Sequence, residues 1–405
     1  MDEEDGKRFL VWRIIGLVLV MAQVTVSVLL MLSIIRMNVL VWWIVLLIGV
    51  GLMLLLAFSV VPLCFSKKRL IVLRILGMII SIACITGGIF AFRYTNAFNG
   101  LLDKVSQAIE EDETPVVEEK HELDVTKDPF IVYISGSDSH YDVNDPEARS
   151  DVNIVVVVNP KQGKMLLASI PRDTYVQLHG TEGLMDKLTH AGLGIYYDAN
   201  MSELTLEDYL GIDIDYTIKV SFDTVVGVVD ELGGIEIYSD KAMQFRVSSK
   251  DGSTKICSYV VGTQYVDGAC ALRFARERKS YARGDKHRGE NQQEVLTGII
   301  NKFLSSNDYL LRLPEILGIV AGSFKTSFPR KSITDFLQFQ LAEQVNWQIE
   351  SIGLDGVGDL LPTYTYPDRN LWVMLADEDS LQEVKDTINQ YLVDGYSETE
   401  LLNDN

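Results

Sequence analysis

The chain has 405 residues, 47% of them apolar, and a formal net charge of −20. That length and apolar share accommodate one membrane region and one or two globular cores. Against so acidic a background, any local cluster of cations stands out as an exception.

The apolar residues open the chain. Phe9–Ile35, Val39–Phe65 and Leu70–Phe92 are three stretches, each longer than the ~20 residues that cross a bilayer. A cleaved secretory signal has one short apolar region and a small-residue site, so continuation into two more spans excludes it. Arg13, near the start of the first span, can snorkel to the headgroups. Lys7 and Arg8 precede that span, and Lys67, Lys68 and Arg69 separate the second from the third, whereas the loop between the first two offers only Arg36. The positive-inside bias puts the N-terminus and the Ser66–Arg69 loop in the cytoplasm. Three spans over residues 1–95 then place everything after Phe92 outside.

Asn96–Ile109 looks like a short amphipathic helix leaving the membrane, and Glu110–Asp124 like a solvated acidic tether, so a linking segment is expected over 96–127. A globular domain is expected over 128–385. Pro129–Ile134 is a β-branched run halted by Ser135-Gly136-Ser137-Asp138, and Asn153–Asn159 and Lys164–Ile170 are two buried strands about the turn Pro160–Gly163. Leu184–Tyr197 and Ser202–Leu210 look helical, and Asp213–Val220 alternates like a strand. Ser221–Leu232 fits a helix that Gly233-Gly234 ends, with a strand at Ile235–Tyr238. Asp267 caps a helix through Phe274, and Asp285 or Gly289 opens a long one with Val295, Ile299, Ile300 and Phe303 on its apolar face. Gln348–Leu354 is a further strand. The alternation predicts an α/β domain with helices flanking a central sheet, followed by an acidic tail over 386–405 whose last ten residues are disordered. Cys64 and Cys84 fall in spans as packing residues. For Cys257 and Cys270, spacing leaves both a disulfide and two buried thiols open.

Between Arg273 and Arg288 fall seven Lys or Arg against Glu277 and Asp285. Guanidinium forks match phosphate oxygens and keep their charge at any usable pH, so this run marks a site for an anionic ligand. Three further polar segments lie at strand ends: Gly136-Ser137-Asp138, Arg149-Ser150-Asp151 and Ser169–Asp173. In α/β folds, ligands gather where loops leave the strands. Carboxylates face phosphate only across a cation, so Asp138 and Asp151 imply Mg²⁺ or a similar hard ion. Arg288 and Gln292 share a face one turn apart near a helix N-terminus, which also favours anions. Each residue has an ordinary reading as well. Asp138 suits a turn, Asp151 a strand end, Arg172 a surface pair with Asp173, and Arg276 and Arg278 the solvated end of a helix. His190 and His287 have no second His or Cys at metal spacing and read as structural.

Arg149–Val155, Ser169–Asp173, Asp186–Gly192, Asp230–Ile237 and Ala271–Gln292 follow one another as in the LytR–CpsA–Psr family, which the chain resembles over roughly Asp128–Phe303. Its three spans are similar to the capsule-associated CpsA branch. It differs from some of that branch in having only a short tether in place of an accessory domain, and in carrying Lys279 and Arg283 within the basic motif. The resemblance implies a central mixed β-sheet flanked by helices. It also implies a phosphotransferase that moves a glycopolymer, capsular polysaccharide or a related wall polymer, from a polyprenyl-pyrophosphate carrier to peptidoglycan as a phosphodiester. By motif, Asp138 and Asp151 would hold Mg²⁺, and Arg172, Arg276, Arg278 and Gln292 would bind the pyrophosphate. Arg149, Asp285 and Arg288 would complete the polar end of the site, with Lys187 as a further phosphate contact. Asp138 is the first candidate for the base. The family's lipid tail lies in an apolar tunnel, and Phe222, Val225, Val226 and Val229 fit either that or ordinary core packing. Implied partners are the cell membrane, the polyprenyl-pyrophosphate-linked glycan, peptidoglycan and capsule-synthesis membrane proteins. Rival readings are a membrane-bound regulator of capsule or envelope synthesis without turnover, and an anchor for anionic wall polymer. Direct nucleic-acid binding is not expected, because the cytoplasmic parts are a short N-terminus and a four-residue loop.

Overall fold

The computed structural model describes residues 3–64, 71–106, 123–137, 149–191, 200–248, 254–305, 313–320 and 324–393. Asp138, the tether over 107–122, the loop at 65–70 and the residues from 394 onward lie outside the described residues. The chain forms two compact units, Met1–Asp103 with Leu337–Ala342, and Lys104–Phe336 with Glu343–Asn405.

The first unit is built on α1 (Glu3–Met37), α2 (Trp42–Cys64) and α3 (Ile71–Ser106), all long and apolar enough to cross a membrane. Polar contacts join α1 to α3. Ser81 Oγ donates to Gln23 Oε1 at 2.9 Å, Asn99 Nδ2 donates to the Ser33 carbonyl at 3.1 Å, and the Ser33 and Thr95 hydroxyls are 2.7 Å apart. In hydrocarbon such bonds hold helices together, because unpaired polar groups there are costly. Residues 96–106, expected as a separate helix at the start of the linker, are the end of α3, with no proline to break the backbone ladder.

The second unit begins with β1 (Phe130–Ser137), β2 (Ser150–Asn159), β3 (Lys164–Ser169), β4 (Tyr175–Gln177), β5 (Met185–Lys187), α4 (Leu188–Ala191) and α5 (Met201–Leu210). Then come β6 (Tyr216–Ser221), α6 (Phe222–Glu231), β7 (Ile235–Ser239), β8 (Met243–Ser248), β9 (Thr254–Tyr259), β10 (Gly262–Val266), α7 (Gly268–Ala275) and α8 (Asp285–Leu304). The chain continues with α9 (Leu313–Val320), β11 (Phe324–Thr326), α10 (Arg330–Glu343, of which Leu337–Ala342 counts with the first unit), β12 (Gln348–Gly353), β13 (Gly356–Pro362), β14 (Asn370–Ala376) and α11 (Glu378–Val393). The central sheet has the order β11-β6-β1-β2-β3-β12. It is mixed: β1 pairs with β6, and β3 with β12, in parallel, and the other neighbours are antiparallel. β2 is buried along Asn153–Asn159, as a strand covered on both faces should be. β1 runs past Ile134 to Ser137, because Ser135, Gly136 and Ser137 keep ladder partners in Asn153, Val152 and Ser150.

One core contains Tyr133, Val155, Val157 and Leu166 from the sheet, Leu206 from α5, and Val384, Ile388 and Tyr391 from α11. Asn159 Nδ2 donates to the Tyr391 carbonyl at 2.8 Å. Helix α11 runs past residue 386 to Val393, because it presents an i, i+4, i+7 apolar face through Tyr391. Helix α8 packs over β2, β3 and β12. Gln293 fastens it there, its Nε2 donating to the Leu167 and Ile352 carbonyls at 2.7 Å each. A second core joins α6, α7 and α8 through Val229, Phe274 and Val295, and it includes the bonded pair Cys257–Cys270. Asp267 caps α7 as its position predicts, and Ser221 caps α6.

The helix expected over Leu184–Tyr197 is replaced at its start by strand β5, which pairs with β4. Buried Asp186 accounts for the change. Its carboxylate accepts hydrogen bonds from His190 Nδ1 at 2.6 Å, the Lys187 amide at 2.7 Å and the Thr365 amide at 2.8 Å. Those contacts tie the segment to a distant turn, and the helical turn begins only at Leu188. Gln293→Ala should remove one donor from two carbonyls between strands and helix at a cost of about 2 kcal/mol. A lowered midpoint of the second unit's thermal transition would show it.

Candidate functional site

Strands β1, β3, β6 and β12 end along the edge where β2 begins. Register places Ser137 opposite Ser150 and Ser221, and Ser169 opposite Ile154 and Gly353. Small polar residues thus line the rim. Beneath it, Tyr133 Oη and Ser150 Oγ both donate to Asn153 Oδ1 at 2.6 Å, and the Ser135 and Ser150 hydroxyls are 2.9 Å apart. Burial pushes the Tyr133 phenol up to about 12, so it remains a neutral donor. Asn153 Nδ2 and Ser137 Oγ are buried without a hydrogen-bond partner among the described residues.

A cleft lies between this rim and the start of α8. Asp151 and Asn153 of β2, Arg172 after β3, and Asp285, Arg288 and Gln292 of α8 line it. A Cβ at Gly289 would stand 2.8 Å from Ser169 Oγ, so glycine is what lets α8 approach the strand end so closely. The unpaired amides of a helix N-terminus favour an anion at such a place.

Two ion pairs organise the cleft. Arg172 Nη1 donates to Asp151 Oδ1 at 2.6 Å, while its Nε lies 3.6 Å from Asp173 Oδ2 and makes no hydrogen bond. Burial works against the Arg172 charge, but Asp151, with Asp173 and Asp285, more than offsets it and holds the group above its ordinary pKa. Arg288 Nη2 donates to Asp285 Oδ2 at 3.0 Å. Asp285 Oδ1 is 2.9 Å from the same nitrogen, yet it is buried without a hydrogen bond. At Arg288 burial prevails, and repulsion from Arg172 and Arg278 adds to it against Asp285 and Asp151, so its pKa falls below the ordinary value. A guanidinium remains charged even so. Arg288 is a partly buried guanidinium held by Asp285, and phosphate oxygens would give its remaining N–H groups acceptors.

The structure therefore brings Asp151, Arg172, Asp285, Arg288 and Gln292 together. Arg276 and Arg278 follow α7 and are exposed. The Arg276 guanidinium sits 5.1 Å from the Phe222 ring, and Arg278 lines a neighbouring cleft. Arg149 is exposed just before β2. Lys187 Nζ donates to Asp173 Oδ1 at 2.8 Å, which braces a neighbour of Arg172. Val229 is fully buried in the second core, with Val225 packed against that core.

Sequence reasoning passed over Glu277. It is buried, accepts the Ser280 amide at 2.7 Å and pairs with Arg273, so it fixes the loop that carries Arg276 and Arg278. Burial opposes its charge, but the Ser280 amide and Arg273 overcome that and hold its pKa below the usual carboxylate range. An acid set between two arginines of a basic run was the available signal.

No group of three or more His, Cys, Asp or Glu is gathered for a metal among the described residues. Mg²⁺ does not require one, because it takes one or two carboxylates and completes its shell with water and phosphate oxygens. Asp151 in the cleft and the Asp285 Oδ1 that lacks a hydrogen bond fit that demand.

Glu277→Gln should cost about 2 kcal/mol through loss of a charge-assisted bond. Because the folded pKa is depressed, the wild-type advantage is complete above the ordinary carboxylate range and disappears as pH falls through the folded value. Melting curves of both proteins from neutral to acid pH would test this.

A family model described as the LytR_cpsA_psr family matches residues 96–390. Polyisoprenyl-teichoic acid–peptidoglycan teichoic acid transferase TagU of Bacillus cereus strain AH820 is 32% identical over 273 residues, 66% of this chain and 82% of that protein. The protein of the same name from Bacillus subtilis strain 168 is 28% identical over 330 residues, 81% and 97% of the two chains. The solved structure of TagT bound to LIIa-WTA superposes with a TM-score of 0.52 at 28% identity, covering 70% of this chain and 98% of the other. Bacillus subtilis TagV gives 0.52 at 27% identity, with 66% and 98% covered. The mixed sheet with flanking helices is shared with these proteins, and the chain belongs to the LytR–CpsA–Psr family.

Proposed function

We propose that the protein transfers a glycopolymer from a polyprenyl-pyrophosphate carrier to peptidoglycan at the outer face of the cell membrane. The observation that carries this reading is the convergence of Arg172, Arg288 and the N-terminus of α8 on one cleft at the strand ends. The names of the relatives support the class of reaction, since TagU is named as a teichoic acid transferase to peptidoglycan. The polymer is capsular polysaccharide or a related wall polymer, and the resemblance of the three-span N-terminus to the capsule-associated branch supports capsule. The positive-inside pattern of the N-terminal basic residues supports an outward-facing catalytic unit. The Cys257–Cys270 bond suits an oxidising compartment and supports the same side.

Outside the cell there is no ATP, so the carrier's pyrophosphate supplies the driving force. The acceptor hydroxyl oxygen attacks the phosphorus that bears the glycan. A new O–P bond forms, the bond from that phosphorus to the bridging oxygen breaks, and polyprenyl phosphate leaves with the electron pair. Arg172 and Arg288 would neutralise the oxygens that gain charge, with the α8 amides and Gln292 orienting them. Asp138 would accept the hydroxyl proton. Asp138 and Asp151, together with Asp285, would hold Mg²⁺, which would supply Lewis-acid stabilisation of the phosphoryl oxygens. Exposed Arg149, Arg276 and Arg278 would contact the outer part of the donor, and Lys187 would act through Asp173.

The test is a transfer assay with the full-length protein, Mg²⁺, a polyprenyl-pyrophosphate-linked oligosaccharide and a peptidoglycan oligomer. A phosphodiester-linked product is expected by mass spectrometry. Arg288→Ala should lower kcat/KM by about 10²–10³-fold, as loss of a buried charge-stabilising donor does. Exposed, solvent-screened Arg276→Ala should lower it by less than about tenfold. Chelation should stop transfer and added Mg²⁺ should restore it. Folded protein that leaves every such donor intact would sink the reading.

A further inference from the structure

A second, wider cleft opens beside the phosphate cleft and shares Pro171, Asp285 and Lys286 with it. Its far wall is the hairpin of β13 and β14. Asp355 joins that wall to the start of α8, pairing with Lys286 Nζ and lying 3.6 Å from Arg283 Nη2.

Trp372 stands on this wall, on β14, with 48% of its surface exposed. Register pairs it with Leu360 and pairs Met374 with Gly358, so the indole reaches diagonally across the hairpin. A Cβ at Gly358 would lie 2.6 Å from the indole Nε1 and 2.8 Å from Cε2. Gly358 does not adopt a left-handed backbone, so the missing side chain serves the ring and not a turn. The indole is thus supported by bare strand and open to the cleft. Around it, Arg278, Arg283 and Lys286 are balanced by Asp173, Asp285 and Asp355. A cleft without net formal charge has little preference for a second anion. Fixed donors and acceptors around an aromatic plane suit a polyhydroxyl ring, whose hydroxyls bond at the rim while its C–H face covers the indole.

We propose that this cleft is a saccharide subsite in which Trp372 stacks on an uncharged pyranose. The proposal rests on the transferase reading, since both the transferred glycan and the accepting glycan must lie beside the reacting phosphorus. The shared wall of Pro171, Asp285 and Lys286 provides that adjacency. The chemistry of the ring is the same for either source.

Calorimetry on the full-length protein in detergent would use three probes: an N-acetylglucosamine tetramer, a prenyl-pyrophosphate-linked disaccharide and geranyl pyrophosphate. Trp372→Ala is expected to weaken a saccharide-bearing probe by at least about tenfold, as truncation of an aromatic anchor does. Geranyl pyrophosphate should bind within about twofold of wild type, well under the tenfold that 1.4 kcal/mol represents. Trp372→Phe should keep most of the affinity, and Gly358→Leu, which displaces the indole while retaining it, should reproduce the loss. A loss confined to the tetramer assigns the ring to the acceptor, and a loss confined to the linked disaccharide assigns it to the donor. Unchanged saccharide affinity in Trp372→Ala overturns the proposal, as does an equal loss of geranyl pyrophosphate or a wild type that binds neither saccharide. If wild type binds the tetramer through Trp372 yet neither binds geranyl pyrophosphate nor transfers glycan, the subsite stands and the transferase reading falls.

Discussion

Arg172 and Arg288 are held largely out of water at the end of the sheet, with side-chain exposures of 26% and 12%. Removing the partner of a fully buried charge costs about 3–5 kcal/mol, against about 0–1 kcal/mol for an exposed pair, and these partly buried pairs fall between the two. Their carboxylates therefore contribute to the stability of the fold as well as to the site. Asp151 of β2 holds Arg172 after β3, and Asp285 holds Arg288 within the first turn of α8, so docking α8 on the sheet is what brings the two pairs into one cleft. Docking depends in turn on Gln293, which bridges β3 and β12, and on the bare backbone of Gly289 against Ser169. A change in any of these would be felt at the guanidinium groups first.

Such a cleft is balanced at rest, and this shapes what can bind. A pyrophosphate would compete with Asp151 and Asp285 for the same donors. Each carboxylate released from its guanidinium would then face phosphate oxygens. Under the proposed function, Asp151 and Asp285 released in this way would be available to hold a hard cation, which would supply positive charge to the phosphoryl oxygens. The proposed metal is thus coupled to the ion pairs and is not an independent addition. Arg276 and Arg278, being exposed, have no comparable desolvation to recover and can follow a ligand without disturbing the core.

Features governed by local chemistry were legible in the sequence. The β-branched run of β2, the Asp267 cap and the Gly233-Gly234 stop each act within a few residues, and each stands where its residues place it. Within the candidate site, Arg172, Asp285, Arg288 and Gln292 were legible because their charges and spacing sit at a strand end and a helix start. Features governed by distant partners were not. Asp186 overrides a helical pattern through Thr365, 179 residues away, and Gln293 finds Leu167 across 126 residues. Spacing left Cys257 and Cys270 undecided, because their approach depends on how β9 meets α7. Trp372 carried no signal at all, since its meaning lies in the register of a hairpin with Gly358.

Counting charges along the basic run overstates its attraction for an anion. Arg273 is committed to Glu277, Arg283 and Lys286 reach Asp355, and Arg288 is held by Asp285. A brush of cations would bind any polyanion and lose it as salt screens the charges. Acids interleaved with the cations give up part of that attraction and gain position instead, because each paired guanidinium is held before a ligand arrives. Glu277 shows the arrangement most plainly. Buried between two exposed arginines, it anchors the loop from inside, while Arg276 and Arg278 remain on the outside. Phosphoryl transfer needs charge at defined points more than it needs net charge, and this alternation of sign is how an acidic chain can provide it.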